Sequence, residues 1–537
     1  GEGKQKNKIT STDPVFPESD LRQNGQFVAH ESVGQYLSNR HEEERRKTGA
    51  EGPAAIIDTS ASEIPEAQMK YLVDSLTEDA IHAYDVLGVD PGFYSSDLQD
   101  TMRQMTSRWP EFADDENAKF IFTTLLAITS TGQGPDANLR DADDLYRMFR
   151  EHGTVVPTNY GGGARDVTAS LKVFQGLLDS FGKDRTRRLL SGYTTAGKIE
   201  KTFERLAGKS ALDEWRARAG ASPWAVPVDS KGKRKEMVSG ELKDEIVPVA
   251  AIFGPKIGSF NANLSGRHDF LTMDRWLMRS VGRVSGELVT RLKADGAQDR
   301  AKVALAALEK GNWSKSKLFG VDKTHGITKA ALIRSLKIQA RTGVIEENGA
   351  AFIWATAAER SMGKVKRPSG GGYGKHEDPD IHDLHNAGNS IFKALILEQQ
   401  DPKTATARRN IREVFRRVQE EIKSRSGREA DIDEIQAALW QYEKRLWKHM
   451  GAKTNITENS LFSAAADGVT SGKIKRDKPF TPASRRDYLE QPEGLGDDDF
   501  DVNPFDAVRR ARLRGRDSLR RLRPPRRRDV RRRQHLR

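Results

Sequence analysis

The run Phe253-Gly254-Pro255-Lys256-Ile257-Gly258 puts a lysine into a glycine-flanked turn, and Asp274 follows that lysine by 18 positions. Asp274 lies within Met273-Asp274-Arg275-Trp276-Leu277-Met278-Arg279, and Arg279 and Arg283 stand five and nine positions beyond it. A turn of this kind points backbone N–H groups outward, where they can hold a phosphate. A lysine amine that loses part of its hydration has a lowered pKa and can attack a sugar carbon as a neutral nucleophile. A carboxylate at a helix start stays ionised and can stabilise positive charge as a base leaves its sugar, or orient the attacking group. These are the groups that cutting a base out of DNA requires. Taken singly, each also has a plain structural role. Lysine in a Gly-rich turn is most often solvated, and aspartate before an apolar helix is most often an N-cap. Trp276, Leu277, Val281 and Val284 are core candidates at helical spacing.

The elements that must position these groups read as helices. QMKYLVDSLTEDAIHAYDVLG places Tyr71, Leu72, Leu76, Ile81, Tyr84 and Leu87 on one face, and AKFIFTTLLAITSTGQ is an apolar helix ending in a polar turn. ANLRDADDLYRMFREHG groups Ala142, Leu145, Met148 and Phe149, with Gly153 as its C-terminal cap. ARDVTASLKVFQGLLDSFG and DRTRRLLSGY add two more helices, and residues 208–240 read as an insertion ending in a charged turn. YGGGARD at 160–166 is a loop without the strand and Lys-Ser/Thr context of a nucleotide-binding turn. QDRAKVALAALEKG, KAALIRSLKIQARTG and TARRNIREVFRRVQEEIKSRSG continue the helical theme, with an open loop expected over 363–380. DIDEIQAALWQYEKRLWKHMG then stripes Ile432, Ile435, Leu439, Tyr442 and Leu446. Alternating strand patterns are nearly absent and there is no internal repeat, so the body is expected to be all-α.

The chain has 537 residues, a net charge of +12 and no cysteine. Length allows two or three domains. Disulfides, cysteine-ligated zinc and iron–sulfur clusters are excluded. No apolar run reaches the ~18 residues of a membrane span, and the polar start GEGKQKNKIT is no signal peptide, so a soluble intracellular protein is expected. The charge is unevenly placed. Residues 509–537 hold 15 arginines and two aspartates, which leaves the body nearly neutral, and the acidic stretch EGLGDDDFDVNPFD precedes them. Such a tail cannot bury enough apolar surface to fold, yet it can bind nucleic acid by releasing counterions, or pair with an acidic partner.

The lysine turn and its aspartate resemble the helix-hairpin-helix DNA glycosylases, typified by endonuclease III and 8-oxoguanine glycosylase. That family carries a Gly-x-Lys-x-Ala hairpin. Its catalytic aspartate lies 18 or 19 residues later and opens a helix with an arginine five residues on. Gly254-Pro255-Lys256-Ile257-Gly258 matches the hairpin, with Gly258 where the family has alanine, and Asp274, Arg279 and Arg283 match the helix. A second segment, FIFTTLLAITSTGQGPDANLRDADDLY, resembles the family's first barrel helix, its Ser/Gln turn and the next helix. Gln133 then takes the place of the side chain that fills the gap left by an extruded base. The match covers about residues 110–285 in two islands. It departs from the family where Val249-Ala250-Ala251-Ile252-Phe253 replaces the Leu-Pro-Gly-Val run, and where the iron–sulfur loop is impossible.

The resemblance implies a two-lobed helical fold, with Lys256 and Asp274 catalytic and Gln133, Gly254, Gly258, Arg275, Arg279 and Arg283 contacting DNA. It divides the chain into a mostly disordered segment 1–63 holding one short helical stretch over 31–47, a glycosylase-like core 64–310, a further helical region 311–460, and a disordered tail 461–537. No cofactor or metal is required and no membrane partner is expected; the site should act in the cytoplasm or nucleoid, or in a virion if the source is a phage. Two alternatives compete with excision: a non-catalytic DNA-binding protein of phage or mobile-element type, and an enzyme acting on hypermodified bases. His376, Glu377, His382, Asp383 and His385 cluster without a recognised zinc spacing. Trp440 and Trp447, seven residues apart, read as core or interface side chains.

Overall fold

The structure is a computed structural model. It describes residues 22–23, 26–27, 34, 37–52, 55–90, 92–131, 133–160, 165–210, 241–290, 294–310, 328–343, 350–351, 397–449 and 461–484. The expected insertion over 208–240 from residue 211 on, the loop over 363–380, the His376–His385 cluster and the arginine tail lie outside these residues.

The described residues are mostly helical, and the all-α expectation holds. Fourteen α-helices are numbered in chain order: α1 (Glu42–Lys47), α2 (Glu66–Asp85), α3 (Phe93–Arg108), α4 (Glu116–Thr129), α5 (Pro135–His152), α6 (Arg165–Leu190) and α7 (Ile199–Ala207). They continue with α8 (Pro255–Leu264), α9 (Arg275–Ser285), α10 (Ala294–Lys310), α11 (Lys329–Thr342), α12 (Ala405–Ser426), α13 (Ile432–His449) and α14 (Phe462–Thr470). Helix α6 breaks at Gly182 (φ 73°, ψ 167°), the point that separates the two helices read from the sequence. A short antiparallel ladder joins β1 (Tyr193–Thr195) to β2 (Ile246–Pro248), with Thr194 opposite Val247.

Two groups of helices can be distinguished by what they bury. The first joins distant parts of the chain: Leu72 and Leu76 of α2, Leu277 and Val281 of α9, Phe415 and Val418 of α12, and Leu439 and Leu446 of α13 share one apolar core. Each of these helices has an apolar stripe, and four stripes facing one another are covered without needing an all-apolar helix. The second group surrounds α4, which is buried on every side from Phe120 to Thr129 because α5, α6 and α8 pack around it. An all-round apolar helix belongs at such a centre.

Carboxylates borrowed from neighbours close the helix ends. Glu434 of α13 accepts from the backbone N–H groups of Tyr94 (3.2 Å) and Ser95 (2.9 Å) at the start of α3. Asp97 of α3 does the same for Phe462 (2.8 Å) and Ser463 (3.0 Å) at the start of α14. Negative charge there satisfies orphan donors and complements the helix dipole.

Parts of the two ends expected to be mostly disordered are built into the helical body. At the N-terminal side, Arg45 is fully buried and donates to the carbonyls of Ser38 (2.9 Å), Ala55 (2.7 Å), Arg283 (3.3 Å) and Val284 (3.2 Å). The last two are unpaired carbonyls at the end of α9, so a polar-looking segment is held by backbone groups that need a donor. At the C-terminal side, α14 packs Ala465, Ala466 and Val469 against α3 and α5, and the backbone of Thr158 donates to Thr481 O at 2.9 Å.

Candidate active site at the lysine turn

Residues Val249–Phe253 form a buried 3-10 turn rather than a longer helix, and α8 follows after a single residue, Gly254. Gly254 has φ 112° and ψ 154°, a conformation closed to residues with a side chain, so glycine is required there to reverse the chain. Pro255 then opens α8 at the position where a missing N–H costs nothing. No side chain caps this helix start, which leaves the first N–H groups available for an anion. Gly258 is glycine for another reason. A Cβ there would lie 2.5 Å from the backbone of Ala251, so the 3-10 turn and α8 touch without room for a side chain. Both glycines are buried. Gly258 therefore serves internal packing, and the expected close approach of DNA to it is not available in this arrangement.

Lys256 occupies the second position of α8, and its Nζ donates to Ser130 O at 3.3 Å. Ser130 ends α4, 126 residues earlier in the chain. The turn it begins carries Gln133, whose backbone N–H points to the same Ser130 carbonyl at 3.5 Å. The two sequence islands therefore meet at one carbonyl. The Gln133 side chain is half-buried and donates from Nε2 to Asp141 Oδ2 (3.0 Å) and Tyr160 Oη (3.5 Å). Its Oε1 is buried without a hydrogen bond. In this arrangement Gln133 is tied to α5 and would have to release Asp141 to enter a duplex.

Asp274 caps α9, accepting the Leu277 N–H through Oδ1 at 2.9 Å. The plain structural role of an N-cap is therefore filled, and among the described residues no hydrogen bond engages the second carboxylate oxygen. The segment leading to Asp274 is gripped from α13. Gln436 accepts from Thr272 N (2.8 Å) and donates to Thr272 O (2.6 Å). One connection earlier, His268 Nδ1 meets Asp433 Oδ2 at 2.7 Å. Burial raises the Asp433 carboxyl to about 6, against the pull of His268.

Lys256 and Asp274 do not form an ion pair within 4.0 Å, yet the carboxylate acts on the amine through its charge. Desolvation lowers the Lys256 pKa, Asp274 and Asp401 oppose that shift, and Arg275 adds to it. An amine with reduced proton affinity that feels a carboxylate's charge can serve as a nucleophile with an electrostatic partner. Arg275 is exposed and bonds Gln400 Oε1 at 2.7 Å, so it can turn to a phosphate at small cost.

Arg279 and Arg283 are placed differently from the DNA contacts expected of them. They are 4% and 3% exposed and point into the core. Arg279 reaches both oxygens of Glu398 (2.5 and 3.2 Å) and lies between the Trp276 and Trp447 rings, at 4.3 and 4.1 Å from their centroids. Arg283 binds Asp79 (2.5 Å), Glu443 (3.0 Å) and His41 Nε2 (3.1 Å). Burial works against the Arg283 charge, but Asp79 and Glu443 outweigh it and hold its pKa above the ordinary arginine value. Neither guanidinium has a path to a phosphate here; their carboxylate partners lie far away in sequence, which is why spacing alone could not reveal them.

One buried amine has no precursor in the sequence reading. Lys444 of α13 is 5% exposed, with its Nζ 3.1 Å from the Trp440 ring centroid, and it too feels the charge of Asp274. Within a helix rich in Glu, Lys and Arg it looks like one more solvated charge; the one available signal was Trp440 a helical turn before it. Among the described residues no group of three or more His, Cys, Asp or Glu side chains is placed to hold a metal ion, and no helix is long and apolar enough to cross a membrane. No protein-family model, curated protein or solved structure matches the chain.

Proposed function

We propose that this chain is a DNA glycosylase or glycosylase/AP lyase of the helix-hairpin-helix kind, acting on a damaged or modified base extruded from the duplex. The observation that carries the reading is the contact between two sequence segments far apart in the chain, the Lys256 amine and the carbonyl that starts the Ser130–Gln133 turn. The amine is desolvated and feels the charge of Asp274, which caps the next helix. Extrusion costs a few kcal/mol and brings the sugar within reach of groups that a stacked base would hide. The uncapped start of α8 and exposed Arg275 would then hold the backbone phosphates.

In this reading the Lys256 lone pair forms a bond to C1′ while the glycosidic electron pair leaves with the base, which takes up a proton. Opening of the sugar ring leaves an imine on Lys256. Asp274 stabilises the positive charge that builds at the sugar. Borohydride trapping on duplexes bearing a panel of damaged and modified bases tests the proposal. Wild-type protein should form a covalent complex, Lys256→Ala none, and Asp274→Asn should slow excision by about 10²–10³-fold.

The alternative is a non-catalytic DNA-binding protein on the same helical scaffold. It draws on the fact that both Lys256 and Asp274 already have internal hydrogen-bond roles. Under it, no base is excised, Lys256→Ala and Asp274→Asn leave binding unchanged, and removal of residues 509–537 abolishes binding. Activity confined to hypermodified bases would instead specify the substrate of the enzyme.

A further inference from the structure

The groups that hold Gln133 are themselves held by a segment from far along the chain. After α14, residues 476–483 run as a strap against α5 and residues 156–160. Ala483 N–H donates to Val156 O (2.8 Å), Thr481 N–H to Asn159 Oδ1 (3.0 Å), and Asn159 Nδ2 to Pro479 O (2.9 Å). Phe480 N–H donates to Asp144 Oδ2 at 2.5 Å. The Phe480 ring stacks on Tyr160, with centroids 5.0 Å apart and planes 8° from parallel, and Arg476 lies 3.8 Å from the Phe480 centroid. Arg476 and Arg140 both donate to Asp141 Oδ1 (2.8 and 2.9 Å), which leaves Oδ2 for Gln133 Nε2 (3.0 Å) and Tyr160 Oη (3.4 Å). Burial and the Asp141 charge raise the Tyr160 pKa, so the phenol stays protonated and can donate to that oxygen. The hold on Gln133 is one-sided. Its Nε2 is paired with a carboxylate, but its Oε1 is buried without a hydrogen bond, a cost that release would remove. A charge-assisted bond on one side of the amide and an unpaired acceptor on the other are opposing effects of similar size.

On the reading that Gln133 fills the gap left by an extruded base, we propose that Asp141 and Tyr160, fixed by the 476–483 strap, are positioning residues that keep Gln133 withdrawn until a duplex offers that gap. In the withdrawn position the amide belongs to Asp141. In the complex it moves into the space the base has left, where both its oxygen and its nitrogen can meet the edge of the base on the opposite strand. Only molecules with Gln133 released are competent to fill the gap, so the latch lowers the apparent affinity by the released fraction. An intact, fully stacked duplex offers nothing to replace the bond to Asp141, and the latch therefore selects for duplexes with an extruded or missing base.

The test uses the full chain and a labelled duplex in which 2-aminopurine stands opposite a tetrahydrofuran abasic analogue, which offers the gap but no aldehyde for Lys256. Anisotropy reads affinity and 2-aminopurine fluorescence reads gap filling. Asp141→Ala should bind about tenfold tighter than wild type, the scale of one charge-assisted hydrogen bond, and Tyr160→Phe about threefold tighter. The 2-aminopurine signal should respond to wild type and to both variants, but not to Gln133→Ala. Removing Asp141 also removes a negative charge, so the same change is made in Gln133→Ala, where it should alter affinity by less than about twofold. Equal tightening in that background overturns the inference. So does weaker binding by Asp141→Ala, which would make Asp141 the group that presents Gln133 to DNA. Tyr160→Phe keeps the stack on Phe480; should Asp141→Ala fail to fold, wild-type affinity in Tyr160→Phe overturns the inference. Wild-type protein that is trapped by borohydride on a natural abasic site, yet leaves the 2-aminopurine signal where Gln133→Ala leaves it, overturns this inference alone. Wild-type protein that is neither trapped nor bound overturns the reading beneath it.

Discussion

Helix α9 separates two treatments of buried positive charge. Along its length, Arg279 and Arg283 are enclosed by Glu398, Asp79 and Glu443 and by the faces of two tryptophans. Elsewhere, Lys256 and Lys444 are desolvated without a carboxylate in ion-pair contact among the described residues, and each feels the charge of Asp274. Burial is similar in kind at the two places, but the partners differ. Where carboxylates make direct hydrogen bonds, the charge is locked and serves the fold. Where the carboxylate acts only through space, desolvation prevails, the amine gives up its proton more readily, and the same residue class becomes available for chemistry.

That contrast can be broken most forcefully at Arg283. Arg283→Met leaves Asp79 and Glu443 buried without their cation and should cost about 3–5 kcal/mol in urea unfolding. Adding Glu443→Gln should recover part of the loss; a cost under about 1 kcal/mol would instead return Arg283 to the surface and to DNA. The amines predict the opposite sign. Lys444 is depressed to about 7 when folded, so between there and its ordinary value of 10.5 the unfolded chain binds the extra proton. Its cost to stability is complete below about 7 and fades as pH rises toward 10.5. Lys444→Met should therefore stabilise the protein, by urea unfolding, more at pH 6 than at pH 10. Lys256→Met should show the same sign with a smaller gain, because Asp274 and Asp401 both support its charge. A destabilised Lys256→Met would mean that its bond to Ser130 outweighs the desolvation. The smallest change belongs to Asp274→Asn. Asparagine caps a helix nearly as well as aspartate, so stability in urea unfolding should change by less than about 0.5 kcal/mol while excision falls. A large loss of stability there would make Asp274 chiefly a structural cap.

Much of the helical body was legible because helical periodicity and local end signals are properties of neighbouring residues. Gly153 ends α5 in the left-handed conformation, and Gly182 breaks α6, as their places in the sequence suggest. The stripe Ile435, Leu439, Tyr442 and Leu446 of α13 is in the core. What misled was composition read without tertiary context. The short helical stretch expected over 31–47 read as an island in a disordered segment, but Arg45 within it finds four carbonyls, two of them from α9. Residues 461–484 seemed to be the start of a disordered tail, but Asp97 of α3 caps α14. The basic residues after Asp274 looked like phosphate ligands because their acids lie more than a hundred positions away.

By itself, then, the sequence determined the helical class, the glycine-dependent turn at Gly254, the N-cap at Asp274 and the pairing of an amine with a carboxylate as candidates for one site. Each follows from local backbone geometry or from a spacing. Tertiary structure alone decided which buried charges meet a carboxylate and which do not. It matched Arg283 to Asp79 and Glu443, joined Lys256 to the Ser130 turn, and buried Lys444 against the Trp440 ring. The reason is that the energy of a buried charge depends on solvent exclusion and on the nearest opposite charge, and both are supplied by residues that meet only when distant helices pack.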